Sequence, residues 1–150
     1  MILPAFIKTN SADETRAVGA SLAELLSVDP EMPRFVAMFG DLGVGKTAFV
    51  SGFINTFLPG AKVKSPTFAL VHEYRSTIPV FHFDMYRIED EDELESIGFY
   101  DYFCRHGFIL CEWCENIPYA LPSRRIEVNI VKDDLNTPDS RTISVTLVEE

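Results

Sequence analysis

The sequence has 150 residues, 47% of them apolar, which suits one domain with a proper core. Its 13 basic and 23 acidic residues leave a net charge of -10, a balance that repels a phosphate backbone and argues against direct nucleic-acid binding. No run approaches the length of a membrane span, and three cysteines are few and odd in number, so the chain reads as a cytoplasmic protein without membrane segment or disulfide frame.

The opening Met1-Ile2-Leu3-Pro4-Ala5-Phe6-Ile7 is too short for a signal peptide and lacks its charged start. Ser11-Ala12-Asp13-Glu14 is a capping box, in which the Ser and Glu side chains satisfy N–H groups at a helix start. Val18, Leu22, Leu25 and Leu26 continue it as one apolar stripe, ended by Asp29-Pro30. Phe35-Val36-Ala37-Met38-Phe39 is apolar throughout and predicts a strand buried on both faces. Gly40-Asp41-Leu42-Gly43-Val44-Gly45-Lys46-Thr47 follows and satisfies G-x-x-x-x-G-K-[ST] at every fixed position. Phe49, Phe53 and Phe57, with Val50 and Ile54 beside them, then predict a helix that begins near Lys46 and stops at Pro59-Gly60.

Strand, glycine loop, helix is the geometry this motif needs. Gly40, Gly43 and Gly45 let the backbone curl with its N–H groups inward, and the helix adds its positive end. Lys46 supplies a point charge to the β and γ oxygens of a nucleotide, and the Thr47 hydroxyl is a ligand for Mg²⁺. Asp41, Leu42, Val44 and Ala48 complete the loop and the first turn of the expected ATP site. A plain glycine turn would leave the register of three glycines, Lys and Thr unexplained.

Further along, Val63 opens a new segment and Ser65-Pro66 breaks regularity. Residues 68–74 read as a strand, Thr77-Ile78-Pro79 as a turn, and Val80–Asp84 as the next strand. Glu89, Asp90, Glu91, Asp92, Glu93 and Glu95 form an acid block; a solvated helix start at 91–97 explains it, with a partner-facing surface as the other reading. Gly98 interrupts that helix, a short aromatic helix runs to Cys104, and Phe108–Glu112 is a third apolar strand. Ile126, Val128 and Ile130, then Ile143, Val145 and Leu147, alternate with polar residues as an antiparallel pair does, with 132–140 as their polar loop. The expected fold is α/β. It is a P-loop NTPase-like mixed sheet flanked by helices, with antiparallel edge strands at the C-terminus, and residues 1–150 form a single ATPase domain.

A nucleotide hydrolase also needs a carboxylate at the end of a neighbouring strand. Asp84 and Glu112 both close apolar runs, where an acid is costly to bury unless paired or near a metal. Glu112 follows the cleaner run and reaches further toward a water; Asp84 suits the metal shell, and either could be the main acid. Turn capping or a pair with Arg87 is the plain alternative for each. Ser65-Pro66-Thr67-Phe68 stands where many such enzymes sense the γ-phosphate, through Thr67 or Ser65. Cys111-Glu112-Trp113-Cys114 is not read as a redox or metal motif, because Cys111 lies in a strand and only Cys104 is left over. His72, His82 and His106 are not spaced as ligands, and His82 reads as packing. Trp113 lies near the nucleotide or in the core.

These segments, in this order, resemble the bacterial TsaE family, the small ATPase of the tRNA threonylcarbamoyladenosine pathway. The resemblance is carried by the glycine loop, Ser65-Pro66-Thr67-Phe68, Leu70-Val71-His72-Glu73-Tyr74 and His82-Phe83-Asp84-Met85-Tyr86-Arg87. Glu93-Leu94-Glu95, Ile97-Gly98 and Glu112-Trp113 with Glu115 complete it. It implies ATP and Mg²⁺ as cofactors and weak hydrolysis by the chain alone. It implies a TsaB–TsaD heterodimer as partner, with the ATP cycle resetting that pair between rounds and tRNA met only indirectly through the complex. It assigns phosphate and metal to Lys46 and Thr47, metal and water to Asp84 and Glu112, nucleotide sensing to Ser65-Pro66-Thr67, and an aromatic near the nucleotide to Trp113. Met85 and Ala48 depart from common family residues without removing a metal ligand. A small-molecule or nucleotide kinase is the alternative, but the arginines are scattered and no insertion could serve as a lid. A GTP switch would need an N-K-x-D run, which is absent. A non-catalytic scaffold sits poorly with intact Lys46, Thr47 and Glu112.

Overall fold

A computed structural model describes residues 1–41, 43–134 and 136–150. The chain opens with strand β1 (Ala5–Thr9) and helix α1 (Ala12–Val28). The Ser11 hydroxyl accepts from the Glu14 N–H at 3.1 Å, and Glu14 Oε2 accepts in return from the Asn10 N–H at 3.1 Å. The capping box therefore forms with its return bond one residue further back. Strand β2 (Phe35–Phe39) leads through the glycine loop to helix α2 (Lys46–Phe57). Strands β3 (Val71–Tyr74) and β4 (Val80–Asp84) precede helix α3 (Glu91–Ser96) and a 3-10 helix at Phe99–Cys104. Strand β5 (Phe108–Glu112) ends in two short 3-10 turns, and the hairpin β6 (Arg124–Asp134) and β7 (Thr137–Glu149) completes the fold.

The seven strands of the described residues form one sheet in the order β1-β7-β6-β2-β5-β4-β3. Its middle, β6-β2-β5-β4, is parallel, while β1, β7 and β3 pair antiparallel at the flanks. Parallel strands need cover on both faces, and the alternation of β2 supplies two cores. Val36 and Met38 pack with Leu22, Phe49, Phe53 and Leu110 beneath α1 and α2. Phe35 and Ala37 pack with Phe81, Phe83, Phe99 and Ile109 on the side of α3 and the aromatic 3-10 helix. Burial of each such side chain is worth about 1.5–3 kcal/mol. Helices α1 and α2 meet backbone to backbone: a Cβ on Gly19 would lie 2.0 Å from the Phe49 carbonyl oxygen, and one on Gly52 1.9 Å from that of Arg16. No described helix is long and apolar enough to cross a membrane.

The mixed sheet flanked by helices matches the sequence expectation, with three differences of detail. The strand expected over 68–74 shortens to Val71–Tyr74, because the chain first turns through residues 67–69, with Leu70 at φ 70° and its N–H on the Pro66 carbonyl at 2.6 Å. The loop expected over 132–140 is mostly strand: β6 runs to Asp134 and β7 starts at Thr137, since cross-strand bonding continues past the apolar alternation. The β6–β7 pair is not the outermost layer, because β1, built from the opening residues, pairs outside β7.

Candidate functional site

The parallel register sets Asp84 directly opposite Glu112, at the carboxyl ends of β4 and β5. His82, Asp84 and Glu112 share the parity of Val80 and Leu110, whose side chains belong to the core on the α2 side. Beside them β2 runs into the glycine loop. Gly45 caps α2 at φ 100°, a left-handed backbone that side chains rarely adopt. A cavity of about 490 Å³ opens here. The loop contributes Gly43, Gly45, Lys46 and Thr47, and the segment before β3 contributes Ser65 and Thr67. Asp84, Tyr86, Glu112 and Trp113 close the remaining side.

Lys46, 6% exposed, donates to the Gly40 carbonyl at 2.6 Å and lies 3.8 Å from the centre of the Trp113 ring. Burial pulls its ammonium below the usual lysine range, while the carboxylates of Glu112, Glu115, Asp84 and Asp41 pull it back up. The loop is braced from both ends. Glu115 Oε2 accepts from the Gly40 N–H at 3.0 Å. From β7, Arg141 donates to the Val44 carbonyl at 2.8 Å and to that of Gly43 at 3.4 Å. With loop carbonyls engaged by arginine, the opposite edge of the peptide chain is left for an anion.

The two strand-end acids have different company. Asp84 Oδ2 accepts from the hydroxyls of Ser65 at 2.8 Å and Thr67 at 3.1 Å, and Oδ1 accepts from the Tyr86 N–H at 2.9 Å. It ties the segment before β3 to the end of β4. The Glu112 carboxylate, with the residue 3% exposed, has one hydrogen-bond partner among the described residues, His82, whose Nε2 lies 2.5 Å from Oε2. Thr47, Asp84 and Glu112 thus offer hard oxygen donors around one cavity, a set that suits Mg²⁺ completed by phosphate and water.

Of the residues expected from sequence, Gly43, Gly45, Lys46, Thr47, Thr67, Asp84, Glu112 and Trp113 line this cavity together. Gly40 touches it through Lys46, and Val44 is buried on its flank. Asp41 is exposed, and Ala48 sits in the first turn of α2. Leu42 lies outside the described residues. Arg87 is drawn away from Asp84, its guanidinium 5.0 Å from the Phe68 ring centre. His82 does more than pack, since it bonds Glu112. Sequence reading gave Glu115 no role and did not single out Arg141; Arg141 lies 97 residues from Val44, and no local pattern announces such a contact. Tyr86, with its ring centre 4.9 Å from that of Trp113, stands out in the sequence only as part of the run around Asp84.

The family model for threonylcarbamoyl adenosine biosynthesis protein TsaE matches residues 9–143. The Bacillus subtilis tRNA threonylcarbamoyladenosine biosynthesis protein TsaE is 34% identical over 142 residues, covering 94% of this chain and 84% of that protein. The protein of the same name from Haemophilus influenzae is 41% identical over 114 residues, covering 75% of this chain and 72% of that one. The crystal structure of Bacillus subtilis YdiB superimposes with a TM-score of 0.73 at 29% identity, covering 99% of this chain and 88% of that one.

Proposed function

The chain belongs to the TsaE family and is the ATP-binding component of the tRNA threonylcarbamoyladenosine machinery, and on that premise we propose how its site works. The observation that carries the reading is the meeting of Lys46, Thr47, Asp84 and Glu112 on one cavity at the carboxyl ends of parallel strands. Loop N–H groups and the start of α2 hold the β and γ phosphates of ATP. Lys46 leaves the Gly40 carbonyl and takes the phosphate oxygens, exchanging a neutral acceptor for a charged one. Thr47, Glu112 and Asp84 would hold Mg²⁺, which when bound would supply charge neutralisation on the phosphates. The free oxygen of Glu112 orients the attacking water and takes its proton as the new bond to the γ-phosphorus forms, the β,γ-bridging P–O bond breaks and ADP leaves. The neighbouring cavity of about 550 Å³, bounded by Gly40, Asp41, Asn129 and Lys132, takes the nucleoside end.

Residues 1–150 act as one ATPase domain in this reading. Hydrolysis is slow alone and rises when a TsaB–TsaD heterodimer docks, and the cycle resets that pair between rounds. Docking acts through Ser65-Pro66-Thr67, which Asp84 already grips and which faces the γ-phosphate end of the cavity. The acid block, with Asp90 capping α3 by accepting from the Glu93 N–H at 3.0 Å, offers a surface for a basic partner. The chain meets tRNA only through that complex. Phosphate release from ATP, with and without the purified pair and with no other acceptor present, tests the reading. Equal rates in the two conditions would remove the activation step, and absence of ATP turnover in both would remove the ATPase itself.

A further inference from the structure

His82 stands in the middle of β4 between Phe81 and Phe83, fully shielded from solvent. An imidazole in such a place is costly unless its nitrogens find partners. Nε2 has one, Glu112 Oε2 at 2.5 Å. Nδ1 has none among the described residues. A proton on Nδ1 would be a buried donor without an acceptor, so the network assigns the proton to Nε2, aimed at the carboxylate. Asp84, two residues along the same strand, takes its donors from Ser65, Thr67 and Tyr86 and none from His82. The histidine therefore serves Glu112 alone. One oxygen of that glutamate is held against the core, and the other remains for the phosphate cavity that Glu112 lines. A glutamate side chain left without such a bond samples several rotamers.

Resting on the ATPase reading above, we propose that His82 is the positioning residue for Glu112. Its buried Nε2–H···Oε2 bond locks the carboxylate so that Oε1 meets the attacking water, and the absence of a partner for Nδ1 among the described residues fixes the tautomer that makes the bond. A histidine that only filled space would be replaceable by any residue of similar volume. A positioning histidine is replaceable only by a side chain that delivers an N–H to the same point.

Three variants separate the two roles. His82→Gln carries its amide N–H about where Nε2 stands, His82→Asn about where Nδ1 stands, and His82→Phe keeps a ring with no donor. In the full chain with its partner pair, kcat should fall at least roughly tenfold for Asn and Phe and stay within about threefold of the unmodified chain for Gln. Nucleotide dissociation constants, measured by calorimetry, should stay within about threefold in all three, since Lys46 and the loop are untouched. Adding His82→Phe to Glu112→Gln should cost nothing further, because the bond is already altered. Nitrogen NMR of the labelled imidazole should show the proton on Nε2, a signal independent of turnover. Equal losses in Gln and Asn, full additivity with Glu112→Gln, or a proton found on Nδ1 would overturn the role. If the Phe variant fails to fold, the Gln and Asn pair still decides. An unmodified chain that binds no nucleotide would overturn the ATPase reading and this role with it; normal turnover in the Asn variant would overturn this role alone.

Discussion

Asp84 and Glu112 are neighbours in register, both acids, both at the carboxyl ends of buried parallel strands, and the protein treats them differently. Asp84 is surrounded by donors from loops: two hydroxyls from the segment before β3 and one backbone N–H from the turn after β4. The Glu112 carboxylate is held from below by a core histidine and, among the described residues, takes no hydrogen bond from a loop. The first arrangement makes a carboxylate into a tether for the segment before β3. The second leaves a carboxylate oxygen rigidly placed and free. Two acids of similar chemistry acquire separate duties from what reaches them, and the strand that carries each is almost incidental.

The contrast is most exposed to failure at Glu112. Glu112→Gln should lower kcat by about a hundredfold or more, since the amide cannot take a proton, while nucleotide affinity holds within about threefold. Normal turnover in that variant, measured as phosphate release with partners present, would move the chemistry to Asp84 and erase the division of labour.

Lys46 faces both acids, so it tests whether they share one site. Lys46→Ala should weaken ATP binding by at least about tenfold, the scale of a charge-assisted contact worth roughly 1.5–3 kcal/mol. Titration calorimetry giving an unchanged dissociation constant would separate the acids from the nucleotide altogether.

Asp84→Asn should sharpen the comparison by producing a different phenotype from Glu112→Gln. Losing charge-assisted bonds from Ser65 and Thr67 loosens the segment, so amide exchange there should rise and the folded state lose about 1–3 kcal/mol. Turnover should fall less than in Glu112→Gln. Unaltered exchange across residues 65–67 would show that the tether is not what holds the segment.

The smallest expected effect is one of pH. Burial lowers the Lys46 pKa, so the free protein loses that charge below the range of an ordinary lysine, about 10.4. Nucleotide affinity should therefore decline, as pH rises, earlier than an exposed lysine would allow. The stability effect has the opposite sign. Between the folded and unfolded values the unfolded chain binds more protons, so nucleotide-free stability rises with pH across that window. Chemical denaturation and binding titrations at matched alkaline pH read the two slopes.

Much of this contrast was legible in the sequence, for reasons that depend on distance along the chain. The glycine loop, its strand and its helix are contiguous, so periodicity and punctuation reveal them together. Asp84 and Glu112 were legible as acids closing apolar runs. Their different surroundings were not, because Ser65 and His82 lie 19 and 30 residues from the acids they bond. The brace of the loop by Arg141 is longer still. Strand β1 escaped notice because five residues with partial alternation carry little signal until β7 is there to pair with them. The turn before β3 reads as strand in the sequence because its apolar residues, Phe68 and Leu70, are shaped by backbone geometry that composition does not encode.

Trp113 is the single tryptophan of the chain, and the ammonium of Lys46 rests against its face. In the proposed site, the charge that a phosphate would capture is the same charge that bathes the chain's one indole. Its emission carries no background from other tryptophans, and departure of Lys46 toward a nucleotide changes the field at the ring. On that reading the indole is a built-in optical gauge of occupancy beside the glycine loop, and stopped-flow fluorescence would time nucleotide arrival without any label.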